Sequence, residues 1–396
     1  MKMAHSHNDS TIIHTNNKTN AIKVAVPGKL FLAGEYAVVN SGQAALLTTV
    51  DAFLHLNLID NPGENGYLIT NQADHPLAWS YDINGQVISN DPLANEFPLI
   101  WESMRTVMAY AEAVGMKSAT TPDYFDLEIT SDLDAADGTK YGLGSSGAIS
   151  VAVVSALLKY YKLDQDITES QWVYRVYKLV AITQAQLGMV GSLGDVAASA
   201  QTGVIYYQNF DREWFNQQAK STGEDIHHLI EEFWPDLMIE QLPIDPDWTL
   251  SLVWSKEKAS TEDLLKMVAH HISERELEEI MSTFKQLAKR QVLMAKAAIQ
   301  MNEWSLFRSA IKDNFENILN YTQTLNKPYL TKSFKKALKL VTSDKSVAKI
   351  SGAGAGDCAY AISSQADEAR NIEATWREND LVVLPFAFWQ RNEQER

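Results

Sequence analysis

Apolar residues recur at helical spacing over residues 277–295, through Leu277, Ile280, Met281, Phe284, Leu287, Ala288, Val292 and Ala295. This predicts a long amphipathic helix with one core-facing stripe. Near the start the texture is different: residues 22–26, 30–39 and 45–59 are rich in β-branched and apolar side chains and predict the strands of an opening sheet. Helical patterns follow at 96–114, 145–161, 169–187 and 193–201, with strands near 124–130 and 203–208. After about residue 209 the chain turns polar and helical, anchored by Trp214, Phe233 and Trp234. A strand at 249–254 precedes the long helix, and strands at 347–350, 358–362 and 381–384 flank a helix at 365–377. The alternation predicts an α+β protein with a first unit at 21–210 and a second at 211–396. Residues 1–20 are polar, with His5, His7 and His14 among asparagines, and are expected to form a poorly ordered tail rather than a metal site.

Composition narrows the function classes. With 396 residues, 45% hydrophobic and 21% charged, the chain can bury a substantial core. A formal charge of −16 argues against nucleic acid or anionic membrane as partner, so an anionic substrate must meet a local positive field. No apolar stretch approaches the roughly 18–20 residues of a membrane span and no signal-peptide core is visible, which leads to the expectation of a cytoplasmic protein. The one cysteine, Cys358, fits a reducing compartment, excludes a cysteine-rich metal site and is expected to be an inert core thiol.

The segment Lys140-Tyr-Gly-Leu-Gly-Ser-Ser-Gly-Ala-Ile-Ser150 runs straight into the apolar stretch 151–158. Glycines let a backbone approach a ligand closely, two hydroxyls can reach an oxygen or a metal, and a helix starting here would aim its free N–H groups outward, the makings of a phosphate cradle. Gly142, Gly144 and Gly147 also satisfy the G-x-G-x-x-G dinucleotide pattern. That reading requires a buried strand directly before the glycines and a second strand ending in an acidic residue, whereas polar residues 131–140 precede them and another helical pattern follows.

Two further small-residue motifs stand far from this one: Pro27-Gly-Lys-Leu-Phe-Leu-Ala-Gly-Glu-Tyr36 and Ser351-Gly-Ala-Gly-Ala-Gly-Asp-Cys358. In this order and at these separations the trio resembles the GHMP kinase superfamily, small-molecule kinases without a Walker A loop. Consistent with that, Gly28-Lys29 is followed by Leu30 rather than Ser or Thr. Lys29–Ala37, Tyr141–Gly147, Gly191–Ala197, Val253–Glu257 and Lys349–Cys358 carry the likeness, which runs from about residue 21 to the end.

The resemblance implies two lobes, a ribosomal-protein-like βαβ domain and a ferredoxin-like domain with added helices, and ATP between them. It implies that Gly142, Leu143, Gly144, Ser145, Ser146 and Gly147 wrap the triphosphate, and that Ser146, favoured over Ser145, ligates Mg²⁺. It makes Lys29 the catalytic lysine with Asp195 as its partner, Asp195 being described in the family as a base or a substrate orienter. Without the family, Asp195 in the first turn of a helix could serve as a cap. Tyr36, Ser192, Gly352, Ala353 and Gly354 fall in substrate-side motifs, and Lys256 or Lys258 are candidate seats for an acceptor phosphate.

Within the superfamily the likeness is greatest to the kinases acting on 5-phosphomevalonate, implying transfer from ATP to its phosphate; mevalonate or a sugar is the alternative acceptor, and a non-catalytic binding protein the alternative class. Residues 180–190 contain none of the acidic side chains that mevalonate kinases use for metal shortly before the aspartate motif. A phosphate monoester, with a second pKa near ~6, needs no general base at neutral pH, so Asp195 would orient rather than deprotonate. A monomer or homodimer is expected.

Overall fold

The computed structural model describes residues 21–118, 123–135, 137–189, 191–221, 226–257 and 273–391. The expected N-terminal tail and Lys258 lie outside the described residues.

Strand β1 (Ile22–Ala33) and the eighteen-residue β2 (Ala44–Asn61) pair antiparallel and form the spine of the first sheet. Further along the chain come β3 (Gly66–Thr70), β4 (Leu77–Tyr81), β5 (Val87–Ile88), helix α1 (Pro98–Ala113) and β6 (Tyr124–Ser131). Helices α2 (Ser145–Tyr160), α3 (Glu169–Gln186) and α4 (Gly194–Gln201) then lead to β7 (Val204–Gln208), α5 (Arg212–Ser221), α6 (Ile226–Glu231) and β8 (Met238–Leu242). The sheet runs β5-β4-β3-β6-β2-β7-β8, with β1 also pairing β2.

A second sheet contains β9 (Thr249–Trp254), reached again after α7 (Glu274–Gln300), α8 (Trp304–Thr324) and α9 (Lys332–Lys339) by β10 (Ser346–Ile350) and β11 (Cys358–Ser363). Helix α10 (Ala366–Glu378) and β12 (Val382–Leu384) complete it in the antiparallel order β10-β11-β9-β12, which is ferredoxin-like. A last strand, β13 (Phe388–Trp389), returns to pair with β2.

Several expectations shift. Residues 22–26 and the first part of 30–39 belong to one strand that ends at Ala33, and the rest forms a turn and a 3-10 helix at Ala37–Val39. Pro27-Gly28 is a β-bulge rather than a break: Pro27 pairs with Phe53 but Gly28 with Val50. Strand pairing in the first sheet runs past residue 210 to Leu242, so the change of sheet falls at 243–248. On α7 the buried stripe is narrower than the pattern: Phe284, Ala288, Val292 and Ala295 are in the core, while Leu287 is 41% exposed. Leu287 sits one position, about 100° of helix rotation, from Ala288.

Local signals account for the helices that frame the site. Thr168 and Gln171 form a reciprocal capping box at the start of α3. By contrast α2 begins at Gly144, which is left-handed at φ 84° and supplies no side-chain cap, and its first turn carries no acidic residue. Its leading N–H groups are left for a ligand.

Candidate active site

A cavity of about 570 Å³ lies where β1, the amino ends of α2 and α4, the carboxyl end of α3 and the loop after β10 converge. All three small-residue motifs line it: Lys29, Glu35 and Tyr36 from the first, Gly142, Gly144, Ser145 and Ser146 from the second, Ser351, Gly352 and Ala353 from the third.

The bulge at Gly28 re-aims β1 just before Lys29. The Lys29 N–H donates to the Leu143 carbonyl at 2.7 Å, tying the strand to the phosphate loop, and its ammonium donates to the Gly142 carbonyl at 3.3 Å. The side chain is 9% exposed and its Nζ stands 5.4 Å from the centre of the Phe31 ring. Among the described residues no carboxylate pairs with it within 4 Å, so Lys29 and the expected partner Asp195 make no direct ion pair here. Both side chains nevertheless line the same cavity, which leaves their charges for a ligand.

Asp195 stands in the first turn of α4, and the helix has no side-chain cap from its left-handed N-cap residue Leu193. Ser192 does the local capping, its Oγ accepting from the Gly194 N–H at 3.2 Å. The loop is braced from behind: the Tyr207 hydroxyl donates to the Ser192 carbonyl at 2.7 Å and the Arg212 guanidinium donates to the Gly191 carbonyl.

Glycines here make room for the functional side chains. A Cβ on Gly144 would stand 2.7 Å from Lys29 Cε, one on Gly147 2.6 Å from Asp195 Oδ2, and one on Gly142 2.3 Å from Asp357 Cβ. Gly144→Ala therefore meets both a left-handed backbone, about 1–3 kcal/mol for a non-glycine residue, and the lysine stem. We expect turnover to fall by roughly a hundredfold, the scale of an ångström of misplacement, together with a lower urea midpoint. Wild-type turnover in the variant would show that the lysine does not need this position.

The third motif is locked to the first. Ser351 Oγ accepts from the Phe31 N–H at 2.8 Å, the Tyr36 hydroxyl donates to the Ala353 carbonyl at 2.5 Å, and the Tyr360 hydroxyl donates to the Leu32 carbonyl at 2.7 Å. Beneath them Lys349, fully buried, ion-pairs with Glu35, 3% exposed. Burial lowers the Lys349 pKa and the Glu35 carboxylate opposes that shift. Burial also pushes the Tyr36 phenol and the Cys358 thiol upward, and Cys358 is a free cysteine buried in the core, the placement expected of it.

Lys256 is exposed and left-handed at φ 61°, outside the residues that line the cavity; the Asp137 pKa is lowered mainly by the Thr139 backbone N–H, with Lys256 a minor contributor. A different cation, Lys140, lines both this cavity and a smaller adjoining one of about 200 Å³ that shares Ser145 and Ser146. Burial raises the pKa of Asp134 beside it, with Lys140 pulling the other way. Lys140, Glu35 and Asp357 lie within the three motif segments but have no role assigned by sequence, and Gln184 lies in the 180–190 stretch, notable in sequence only for its lack of acidic residues.

Among the described residues no helix is long and apolar enough to cross a membrane, and no group of three or more His, Cys, Asp or Glu side chains could hold a metal.

Residues 99–203 match the family described as GHMP kinases N terminal domain and residues 294–380 that described as GHMP kinases C terminal. The phosphomevalonate kinase of Streptomyces sp. (strain CL190) is 26% identical over 368 residues, 91% of this chain and 95% of that protein. The structure of the Lin0012 protein from Listeria innocua superposes with a TM-score of 0.82 at 27% identity, covering 94% of this chain and all of that one. Streptococcus pneumoniae phosphomevalonate kinase in complex with phosphomevalonate and AMPPNP gives a TM-score of 0.74 at 23% identity, covering 92% and 99%. With both halves of the family matched in order and all three motifs gathered around one cavity, the chain belongs to the GHMP kinase superfamily.

Proposed function

We propose that this chain transfers the terminal phosphoryl group of ATP to the phosphate of 5-phosphomevalonate, giving 5-diphosphomevalonate and ADP. The observation that carries this reading is the meeting of Lys29, Ser146 and Asp195 with the uncapped amino end of α2 in one cavity. The acceptor is supported by the 26% identical relative, whose match spans 91% of this chain.

The triphosphate would lie along Gly142–Gly147 against the α2 N–H groups, with Lys29 neutralising charge on the phosphoryl group in flight. A helix amino end contributes only about 0.3–1 kcal/mol per charge, up to about 2 when partly buried, so a full positive charge is needed as well. The adjoining 200 Å³ cavity offers an adenosine seat: Phe97 and Ile129 supply apolar walls, Asn71 and Gln72 polar edges, and Lys140 a cation at the junction.

Ser146 and Asp195 are hard oxygen donors suited to Mg²⁺, and the Asp195 carboxylate makes no hydrogen bond to a described protein group. The ion, when bound with the nucleotide, would supply charge neutralisation, most of its ligands being phosphate oxygens and water. The acceptor phosphate is already ionised at neutral pH, so Asp195 acts as an orienting carboxylate and catalysis rests on positioning and charge neutralisation.

ADP release measured with phosphomevalonate, mevalonate and galactose tests the proposal. Turnover is expected with phosphomevalonate; turnover with mevalonate alone would overturn the acceptor assignment, and none with any acceptor would favour a binding protein.

A further inference from the structure

Helix α3 is largely buried, and its buried polar side chains are matched with protein partners except for one. The Lys178 ammonium donates to the Ile230 carbonyl at 2.8 Å and to the Glu232 carbonyl at 2.5 Å, and the Thr183 hydroxyl donates to the Leu179 carbonyl at 2.9 Å. Gln184 is 8% exposed, its backbone carbonyl accepts from the Met189 N–H at 2.9 Å, and its side-chain amide makes no hydrogen bond to a described protein group. It lines the catalytic cavity, as Ser192 and Asp195 do.

Its amide atoms are not sealed from solvent as the Glu35 Oε2 atom is, so water or a ligand in the cavity can complete their hydrogen bonds. The residues that line the cavity constrain which ligand that is. Gln184 lies in the last turn of α3, where free carbonyls give the helix end partial negative character, and Asp195 lines the same cavity. A phosphate arriving here meets an unfavourable field unless a donor faces it, and the donor must carry no negative charge of its own.

We infer that Gln184 is an acceptor-binding and specificity-determining residue: its amide N–H₂ donates to an oxygen of the acceptor's phosphate, and its neutrality lets a dianion approach beside Asp195. This rests on the acceptor reading above.

The test is acceptor binding by calorimetry and steady-state turnover of the full chain, for wild type, Gln184→Met and Gln184→Glu, each first compared in urea midpoint. Gln184→Met should weaken phosphomevalonate binding and raise its KM by roughly tenfold or more, the scale of losing a hydrogen bond to a charged group, equally across pH 6–8.5 and with the KM for ATP within twofold. Gln184→Glu should cost more at pH 8 and lose part of that deficit toward acid as the added carboxyl protonates. A merely structural role would not divide acceptor KM from ATP KM in this way. Should Gln184→Glu fail to fold, Gln184→Met alone decides. Folded variants that bind phosphomevalonate within twofold of wild type, or that lose ATP rather than acceptor, overturn the assignment. A wild-type chain that uses mevalonate but not phosphomevalonate overturns the acceptor reading and this assignment with it.

Discussion

Lys29→Met should lower turnover by roughly 10²–10³-fold or more while leaving the fold intact, the loss expected when one preorganised electrostatic donor is removed from a desolvated site. The fold is spared because the link from β1 to the phosphate loop is the Lys29 backbone N–H to the Leu143 carbonyl, which the substitution keeps. Methionine also retains the stem volume that packs under Gly144 and beside the Phe31 ring. What disappears is the ammonium, whose protein contact is the Gly142 carbonyl at 3.3 Å, and with it the cation facing the phosphates. Single-turnover rates at saturating ATP and acceptor, with unfolding midpoints alongside, check this. A folded variant turning over at near wild-type rate would make Lys29 a structural residue.

Lys349→Met should be the most damaging single change for stability, about 3–5 kcal/mol, because it strands a buried carboxylate. Lys349 is 0% exposed and Glu35 3%, and the second carboxylate oxygen of Glu35 already has no hydrogen-bond partner among the described residues. Lys349 belongs to β10 of the second sheet and Glu35 follows β1 of the first, so the pair also joins the two sheets at the cavity that Glu35 lines. The double variant Glu35→Gln, Lys349→Met should recover much of the loss, since replacing both ions by neutral groups removes the unpaired charge. Urea unfolding of the single and double variants measures the coupling. A single variant as stable as wild type would mean that Glu35 takes up a proton or another partner at little cost.

Much of this protein was legible in order and kind. The motif at 142–147 predicted a helix amino end, and α2 starts there with an uncapped glycine. The helices at 169–187 and 193–201 and the strands at 249–254, 347–350 and 358–362 fall within a residue or two of the observed elements, because capping residues, glycines and unbroken apolar runs mark their ends locally. Legibility failed where the decisive partner was distant. Pro27-Gly28 is punctuation in sequence, yet β2 pairs on both sides of it and turns the break into a bulge. Met238–Leu242 and Phe388–Trp389 are short, weakly patterned segments that become strands because the edges of β7 and β2 offer them hydrogen bonds.

The candidate site divides the same way. Sequence alone determined the chemistry available: a lysine beside glycine, a serine-bearing phosphate loop, an aspartate at a helix start, and an uncommonly acidic chain in which few cations can meet an anionic substrate. Tertiary structure alone decided which of these face one another. It left Asp195 and Lys29 in one cavity without a direct ion pair, left Lys256 outside the cavity, brought Lys140 to its edge, and placed a glutamine from the last turn of a helix on the cavity with no described protein partner for its amide. The reason is physical. Residue type and spacing set local conformation and intrinsic charge, whereas desolvation, electrostatic pairing and the emptiness a glycine leaves depend on atoms brought together from segments far apart in the chain.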